Sequence, residues 1–205
     1  MLNNSRLYLI LDTGVCDYPK LFEIARQAIN AKIDIIQLRD KKGSAKDIFN
    51  FSKQLIQWTR GTKIFFILND RVDLALAVGA DGVHLGQDDL PLKDARKILG
   101  SKALIGISCQ SQEHALQAER EGADYIGFGS VFKTLTKPDR EPMNLRRLQT
   151  VVEKNKIPVF AIGGITLDNT SKLTEIGIKR VAVCRGILEA ENVAGSIREF
   201  QRRLK

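Results

Sequence analysis

The sequence predicts a (β/α)8 barrel that forms a single domain over residues 1–205, and three observations support this prediction. Eight short apolar runs recur along the chain, stretches with helical periodicity lie between them, and a Gly-Ala-Asp joint repeats before two of the runs. Continuous apolar runs are typical of parallel strands buried on both faces, and their alternation with helices is typical of a barrel. A doubly wound open sheet is the competing architecture, and the count of eight favours the barrel.

The predicted strands are four to six residues long and rich in Ile, Leu, Val and Phe. They cover residues 7–11, 33–38, 64–68, 82–85, 103–107, 124–128, 158–162 and 180–184. A chain of this length is short for a (β/α)8 barrel, so we expect brief connections.

Helices are predicted where apolar residues recur three and four positions apart. These segments cover residues 19–31, 45–59, 74–78, 112–121 and 193–204. In the second of them, the predicted buried face consists of Ile48, Phe49, Ser52, Leu55 and Ile56. Gly79 and Gly122 suit a left-handed residue at a helix C-terminus, just before the chain enters the next strand.

The chain is basic, with 32 Lys and Arg against 24 Asp and Glu and a net charge of +8. Such a balance favours anionic partners, which include nucleic acid, acidic membranes and phosphorylated small molecules. The basic residues are scattered, aromatic residues make up 6% of the chain, and no apolar run reaches the length of a membrane span. We therefore expect a cytoplasmic protein with small-molecule substrates and no nucleic-acid or membrane partner, and a homodimer is compatible with the sequence.

Cysteine and histidine usage argues against several kinds of site. The three cysteines lie far apart without CxxC spacing, which is unlike a disulfide framework or a zinc site. His84 lies inside an apolar run, where we expect a hydrogen-bonded barrel histidine, and His114 lies on a helix and is expected to face solvent. No Ser-His-Asp or Cys-His arrangement is evident, so the sequence does not favour nucleophilic acyl chemistry.

Polar residues of particular types follow almost every predicted strand. Because strand C-termini converge at one mouth of a barrel, and active sites form there, these residues are candidates for a common site. They are Asp12, Thr13, Gln37, Arg39, Lys41, Asn69, Asp70, Gln87, Asp88, Asp89, Ser108, Thr134, Thr136, Lys137 and Arg185.

Two kinds of charge at this mouth suggest a diphosphate site. Asp70 and Asp89 are hard oxygen ligands that suit Mg²⁺, although Asp88 could equally be the second ligand on spacing alone. Diphosphate sites commonly combine a Mg²⁺ ion bound by carboxylates with neighbouring Arg or Lys side chains. The candidates are Arg39, Lys41 and Lys137.

Two glycine-containing loops predict a phosphate site next to the last two strands. Residues 163–165 read Gly-Gly-Ile and residues 185–187 read Arg-Gly-Ile. Backbone N–H groups can approach an oxyanion closely where no side chain intervenes, and the loops after strands seven and eight of a barrel often bind phosphate. The Thr-Leu-Thr-Lys segment at residues 134–137 suits a second phosphate or a heterocycle.

These groups together resemble the thiamine-phosphate synthase family over essentially the whole chain. The matching segments are Gln-Leu-Arg-Asp-Lys at 37–41, Asn-Asp at 69–70, Gly-Gln-Asp-Asp-Leu-Pro at 86–91, Gly-Ile-Ser at 106–108, Gly-Ser-Val-Phe-Lys-Thr-Leu-Thr-Lys-Pro at 129–138 and Ala-Ile-Gly-Gly-Ile at 161–165. Each segment alone is weak evidence for the family. Six segments in the family's order and at plausible spacing are specific evidence for it.

The resemblance implies a transferase that joins hydroxymethylpyrimidine diphosphate to a thiazole phosphate alcohol and releases pyrophosphate. It implies Mg²⁺ as cofactor on Asp70 and Asp89, and it implies catalytic roles for Arg39, Lys41 and Lys137. The implied pyrimidine-diphosphate residues are Gln37, Leu38, Arg39, Asp40, Lys41, Asn69, Ser108 and Lys137. The implied thiazole-phosphate residues are Thr134, Leu135, Thr136, Gly164, Cys184 and Arg185.

Two positions depart from the family pattern. Cys109-Gln110 stands where the family commonly has a Thr-His or similar pair. At the eighth strand the family often reads Val-Ser-Ala-Ile, where this chain has Cys184-Arg185-Gly186-Ile187. Two alternatives to the synthase hypothesis remain. One is a thiazole tautomerase-like isomerase on the same scaffold, and the other is a non-catalytic basic binding module. The isomerase typically lacks the 37–41 and 69–70 segments and carries a catalytic His, whereas this chain keeps both segments and has Gln110.

Overall fold

The computed structural model describes residues 2–135 and 141–205, and its strands form a closed parallel barrel in the order β1 to β8. Each strand pairs in parallel with the next, and β8 pairs with β1 to complete the circle. The strands are β1 Leu7–Asp12, β2 Ile35–Arg39, β3 Phe65–Asn69, β4 Gly82–Leu85, β5 Leu104–Cys109, β6 Tyr125–Gly129, β7 Val159–Ile162 and β8 Val181–Val183. The predicted single-domain (β/α)8 barrel is confirmed.

Helices follow the strands and cover the outside of the barrel. They are α1 Tyr18–Asn30, α2 Ala45–Thr59, α3 Val72–Val78, α4 Leu92–Leu99, α5 Gln112–Arg120, α6 Leu145–Lys154, α7 Leu167–Thr174, α8 Arg185–Leu188 and α9 Val193–Arg203. A 3-10 helix, Leu2–Asn4, precedes β1. In the ranges that the structure describes, no helix is both long enough and apolar enough to cross a bilayer.

The sequence analysis did not identify α4, α6, α7 and α8. The first three have eight to ten residues and bury only two each, for example Leu92 and Ala95 in α4, so few apolar positions mark them in the sequence. Helix α8 has four residues, which is too short for any periodicity. In α2 the prediction of Phe49 as a core residue was partly wrong, because Phe51 is buried at 3% exposure and Phe49 is half-buried.

Side-chain alternation along the strands divides the core into two layers. Leu7, Leu9 and Leu11 of β1 point outward and pack between the strands and the helices. Tyr8 and Ile10 point into the barrel and belong to a separate inner cluster. Residues two apart share a face, so the inward positions nearest the C-terminal ends of the strands form the floor and walls of the barrel mouth.

Candidate active site

A cavity of about 260 Å³ opens at the C-terminal mouth of the barrel. All eight strands contribute lining residues, because at least one inward position of each strand reaches it. The cavity brings together nine of the predicted site residues, which are Gln37, Arg39, Asn69, Ser108, Thr134, Leu135, Gly164, Cys184 and Arg185. The predicted site therefore coincides with a concave surface at the mouth of the barrel, where enzymes of this fold bind their ligands.

Arg39 at the end of β2 is held against the cavity wall by Asp12 at the end of β1. The two residues are opposite each other in the parallel ladder, and the Arg39 guanidinium donates to an Asp12 carboxylate oxygen at 2.8 Å. The other Asp12 oxygen accepts from the Gly14 N–H at 2.8 Å. Asp12 is buried at 2% exposure, and the sequence analysis placed it at the mouth without assigning it a role.

Asn69 at the end of β3 presents an unpaired donor in the cavity wall. Within the described residues its side-chain N–H₂ group is buried and donates to no acceptor. A buried donor without a partner is costly, and an acceptor on a bound ligand would satisfy it. A phosphate oxygen is an acceptor of this kind.

The Asp70 carboxyl, directly after the cavity-lining Asn69, lies between a second carboxyl and an ammonium group. Asp70, Asp89 and Lys41 do not line the cavity themselves, and these three residues form a rim next to it. The Asp70 carboxyl contacts the side chain of Asp89, and the Lys41 ammonium donates to it. Burial, followed by the neighbouring Asp89, raises the pKa of Asp70, and these effects outweigh the opposing contact with Lys41. Asp70 also has a φ of 61°, a left-handed conformation that Asp tolerates better than most residues.

The donor set at the rim fits a hard divalent cation. Two adjacent carboxylates repel each other when both are ionised, and a bound divalent cation relieves this repulsion. Mg²⁺ is a cation of this kind, and it usually completes its coordination with water molecules and phosphate oxygens of the ligand. Asp89 is fixed because its carboxylate accepts from the Gly86 N–H at 2.7 Å, whereas Asp88 is exposed. Over the described ranges, no group of three or more His, Cys, Asp or Glu side chains is arranged to hold a metal. Asp70 and Asp89 could hold Mg²⁺ only with water or ligand oxygens completing its coordination.

Three residues of the 37–41 segment do not line the cavity, namely Leu38, Asp40 and Lys41, whose ammonium pairs with Asp70. Leu38 points outward at 1% exposure and packs in the layer between strands and helices. Asp40 accepts hydrogen bonds from the Tyr18 hydroxyl at 2.5 Å and from the Lys42 and Gly43 N–H groups at 2.9 and 2.7 Å. Burial acts to raise the pKa of Asp40, but these hydrogen bonds outweigh it and lower the pKa. Leu38 and Asp40 therefore shape the loop after β2, and their predicted substrate contacts stay predictions.

The loops after β7 and β8 form one wall of the cavity. Gly163 and Gly164 have positive φ values of 103° and 64°, and helix α8 begins directly after β8. Barrels commonly bind phosphate with these two loops and a short extra helix. The Arg185 guanidinium donates to Glu189 one turn later, so its charge is shared with that carboxylate.

The cavity cysteines are protonated thiols at neutral pH. Burial raises the pKa of Cys109 and of Cys184 to about 12. Since the thiolate is the reactive form, neither side chain is poised as a nucleophile.

The loop after β6 is described as far as Leu135. Thr134 and Leu135 line the cavity mouth, and Leu135 is 75% exposed. The predicted site residues Thr136 and Lys137 lie outside the described residues.

Backbone conformation at Gly164 leads to a prediction about stability. A Cβ atom at this position would lie 2.3 Å from the Lys133 carbonyl oxygen, so Gly164→Ala combines a clash with a positive φ. Gly79 is a matched control, because its φ of 72° is similar and nothing lies within 4 Å of its Cβ position. We expect Gly79→Ala to lower the free energy of unfolding by about 1 kcal/mol, and Gly164→Ala by at least about 2 kcal/mol more.

Urea denaturation of the two variants and the wild-type protein measures this difference. Equal losses in the two variants would contradict the close approach of the β6 and β7 loops.

A chain of hydrogen bonds crosses the floor of the cavity. The Gln37 amide N–H₂ donates to the Tyr8 hydroxyl at 2.6 Å, which lies 2.9 Å from the Tyr125 hydroxyl. The Tyr125 hydroxyl lies 3.2 Å from His84 Nδ1, and His84 Nε2 lies 2.9 Å from Ser108 Oγ. The prediction of a hydrogen-bonded barrel histidine at His84 is confirmed, whereas the sequence analysis missed both tyrosines.

Comparison with known proteins gives consistent matches over nearly the full chain. The family model described as thiamine monophosphate synthase matches residues 7–187. The thiamine-phosphate synthase of Clostridium acetobutylicum is 41% identical over 193 residues, which are 94% of this chain and 92% of that protein. The thiamine-phosphate synthase of Halalkalibacterium halodurans is 42% identical over 202 residues, which are 97% of this chain and 95% of that protein.

A solved structure gives the same result. The structure described as thiamine phosphate pyrophosphorylase from Pyrococcus furiosus superimposes with a TM-score of 0.88 at 38% sequence identity. The superposition covers 98% of this chain and 96% of that one.

Proposed function

This chain belongs to the thiamine monophosphate synthase family and is a transferase, and from that premise we propose that it joins hydroxymethylpyrimidine diphosphate to a thiazole phosphate alcohol. The products of this reaction are thiamine phosphate and pyrophosphate. The observation that carries the proposal is the mouth of the barrel, where a paired-carboxylate rim adjoins cationic and amide donors around one cavity.

The diphosphate end of the site is supported by residues on β2 and β3 and in the loops after β2, β3 and β4. Arg39 is fixed by Asp12 through one of its five guanidinium N–H donors, and among the described residues Asn69 has an unsatisfied amide donor. Asp70 and Asp89 would hold Mg²⁺, which supplies positive charge to neutralise the departing diphosphate. Lys41 adds a positive charge at the same rim. Preorganised charges of this kind stabilise a developing polyanion more effectively than water does.

The thiazole phosphate is assigned to the loops after β7 and β8. Backbone N–H groups in the Gly163–Gly164 turn and at the start of α8 can approach a phosphate without side-chain obstruction. Thr134 and Leu135 in the neighbouring loop after β6 line the same cavity, together with Cys184.

The proposed substitution is dissociative. The bond between the pyrimidine methylene carbon and the diphosphate oxygen breaks, and its electron pair leaves with the diphosphate. The resulting cation is stabilised by the aminopyrimidine ring, and the thiazole nitrogen then donates its electron pair to the methylene carbon. The protein has to position both substrates and exclude water, and no protein nucleophile is required, which agrees with the protonated cavity thiols.

The isomerase alternative is less well supported. A tautomerase needs the phosphate loops but not the diphosphate residues. This chain retains Arg39 and Asn69 in the cavity wall and, directly after Asn69, the Asp70–Asp89 pair with Lys41. The named relatives are synthases.

Incubation of the purified protein with both substrates and Mg²⁺ tests the proposal. We expect thiamine phosphate, detected by chromatography, only when both substrates are present, and we expect chelation of Mg²⁺ to suppress it. No thiamine phosphate under complete conditions would contradict the proposed reaction, and full activity in chelator would contradict the metal's role. Cytoplasmic location and a homodimer stay predictions from the sequence.

A further inference from the structure

The hydrogen-bond chain across the cavity floor has a defined direction. It begins at the Gln37 amide N–H₂, which is a donor, and the Tyr8 hydroxyl therefore accepts from it. Burial raises the pKa of Tyr8 and of Tyr125, so both hydroxyls keep their protons. Each proton needs an acceptor, because a buried donor without one is costly.

The Tyr125 hydroxyl is the acceptor that the structure offers to the Tyr8 proton. Tyr8 is 2% exposed, and the rest of its surroundings are apolar, including an edge-on Phe160 ring at 5.5 Å. Since Tyr125 accepts from Tyr8, its own proton is directed to His84 Nδ1. The opposite direction would leave the Tyr8 proton without an acceptor in an apolar layer.

Neighbouring glycines make this arrangement possible. A Cβ atom at Gly106 would lie 2.1 Å from the Tyr125 ring, and one at Gly127 would lie 3.3 Å from His84 Cε1. Both glycines occupy inward positions on β5 and β6, and their small size lets the two rings lie side by side with centroids 5.5 Å apart. The backbone thus holds the imidazole in one orientation.

We infer that His84 is a positioning residue for substrate recognition, held by Tyr125 as the neutral tautomer with its proton on Nε2. In this tautomer His84 donates to Ser108 Oγ at 2.9 Å, and the Ser108 hydroxyl proton is left to point into the cavity. Ser108 then serves as a donor to an unprotonated ring nitrogen of the pyrimidine. The pyrimidine nitrogen as the acceptor rests on the proposed function, whereas the inferred tautomer of His84 is independent of it.

Nitrogen-15 NMR of histidine-labelled protein measures the tautomer directly, in the absence of substrate. The chain contains two histidines, and His114 is exposed on α5, so His114→Gln assigns the remaining signals to His84. We expect His84 to show a proton on Nε2 and none on Nδ1. A proton on Nδ1, or protons on both nitrogens, would overturn the inference.

Two matched phenylalanine variants test the source of the tautomer. Each removes one hydroxyl from the same chain, but Tyr125→Phe removes the donor to Nδ1, whereas Tyr8→Phe leaves Tyr125 donating to it. We expect Tyr125→Phe to give a mixture of tautomers and Tyr8→Phe to retain the Nε2 form. An unchanged spectrum for Tyr125→Phe would overturn the role of Tyr125, and the wild-type spectrum alone decides the tautomer if that variant does not fold.

Binding of the pyrimidine diphosphate links the tautomer to recognition. We expect Tyr125→Phe to weaken its Kd by about three- to tenfold, the loss associated with one misdirected hydrogen bond. Equal affinity for the variant and the wild-type protein would overturn the role in recognition. Absence of binding to the wild-type protein would instead contradict the proposed function and the acceptor assigned here, and it would do so independently of the tautomer measured without substrate.

Discussion

Asp70→Asn is expected to lower kcat for thiamine phosphate formation by at least about 100-fold, the effect typical of removing one preorganised electrostatic group. The Asp70 carboxylate contacts Asp89 and Lys41 at the cavity rim, and the amide supplies neither its charge nor the same affinity for a hard cation. Asn tolerates the left-handed backbone at this position, where φ is 61°, so the variant should fold.

Asp88→Asn is the matched control for Asp70→Asn. It removes one carboxylate from the loop that follows β4, but Asp88 is exposed, and it is Asp89 that lies beside Asp70. We expect Asp88→Asn to retain the wild-type rate and its dependence on Mg²⁺ concentration. A large loss in Asp88→Asn together with a small one in Asp70→Asn would show that the metal ligands are assigned incorrectly.

Arg39→Gln is expected to reduce kcat/KM for the pyrimidine diphosphate by about 100-fold, because a charge-assisted contact to the leaving group is lost. Asp12 also loses its ion-pair partner and is 2% exposed, so this variant should be less stable than the wild-type protein. Arg39→Lys preserves a positive charge beside Asp12 and separates the two effects. We expect it to retain stability while losing activity, since an ammonium lacks the fork of donors that serves two acceptors.

Arg71→Gln is the control for Arg39→Gln, because Arg71 also pairs with an aspartate near the same end of the barrel. That pair, with Asp73, lies at the surface, with side chains 38% and 65% exposed. Surface ion pairs contribute little to stability, so we expect near wild-type kinetics and unfolding. Steady-state kinetics with the thiazole phosphate saturating and chemical denaturation measure both quantities. Wild-type kcat/KM in Arg39→Lys would contradict the proposed contact with the diphosphate.

The barrel was predictable because its strands leave an unusually plain signal in the sequence. Strands buried on both faces read as continuous apolar runs, and Gly82–Leu85 was predicted with its observed bounds. The same continuity conceals which residues point inward. Tyr8 and Tyr125 sit within apolar runs and are indistinguishable there from outward core residues such as Leu7 and Leu9. Their role emerges only from the register of the closed barrel.

The candidate site was predictable where polar residues follow the strands, since those positions converge in any barrel. Arg39 and Asn69 reach the cavity for this reason. Leu38 does not, because one-residue alternation turns its side chain outward beside two inward neighbours. The role of Asp12 could not be predicted from the sequence. Its carboxylate holds the Arg39 guanidinium, and this contact follows from the pairing of the two residues in the β1–β2 ladder.

The most direct test of the account is to measure thiamine phosphate and pyrophosphate together in the same reaction samples. The wild-type protein and Asp88→Asn should form both products at equal initial rates that depend on both substrates and on Mg²⁺. Asp70→Asn should form both at a rate at least about 100-fold lower. Pyrophosphate released without thiamine phosphate by the wild-type protein, or equal rates in all three proteins, would contradict the assignment of this cavity as a thiamine-phosphate synthase site.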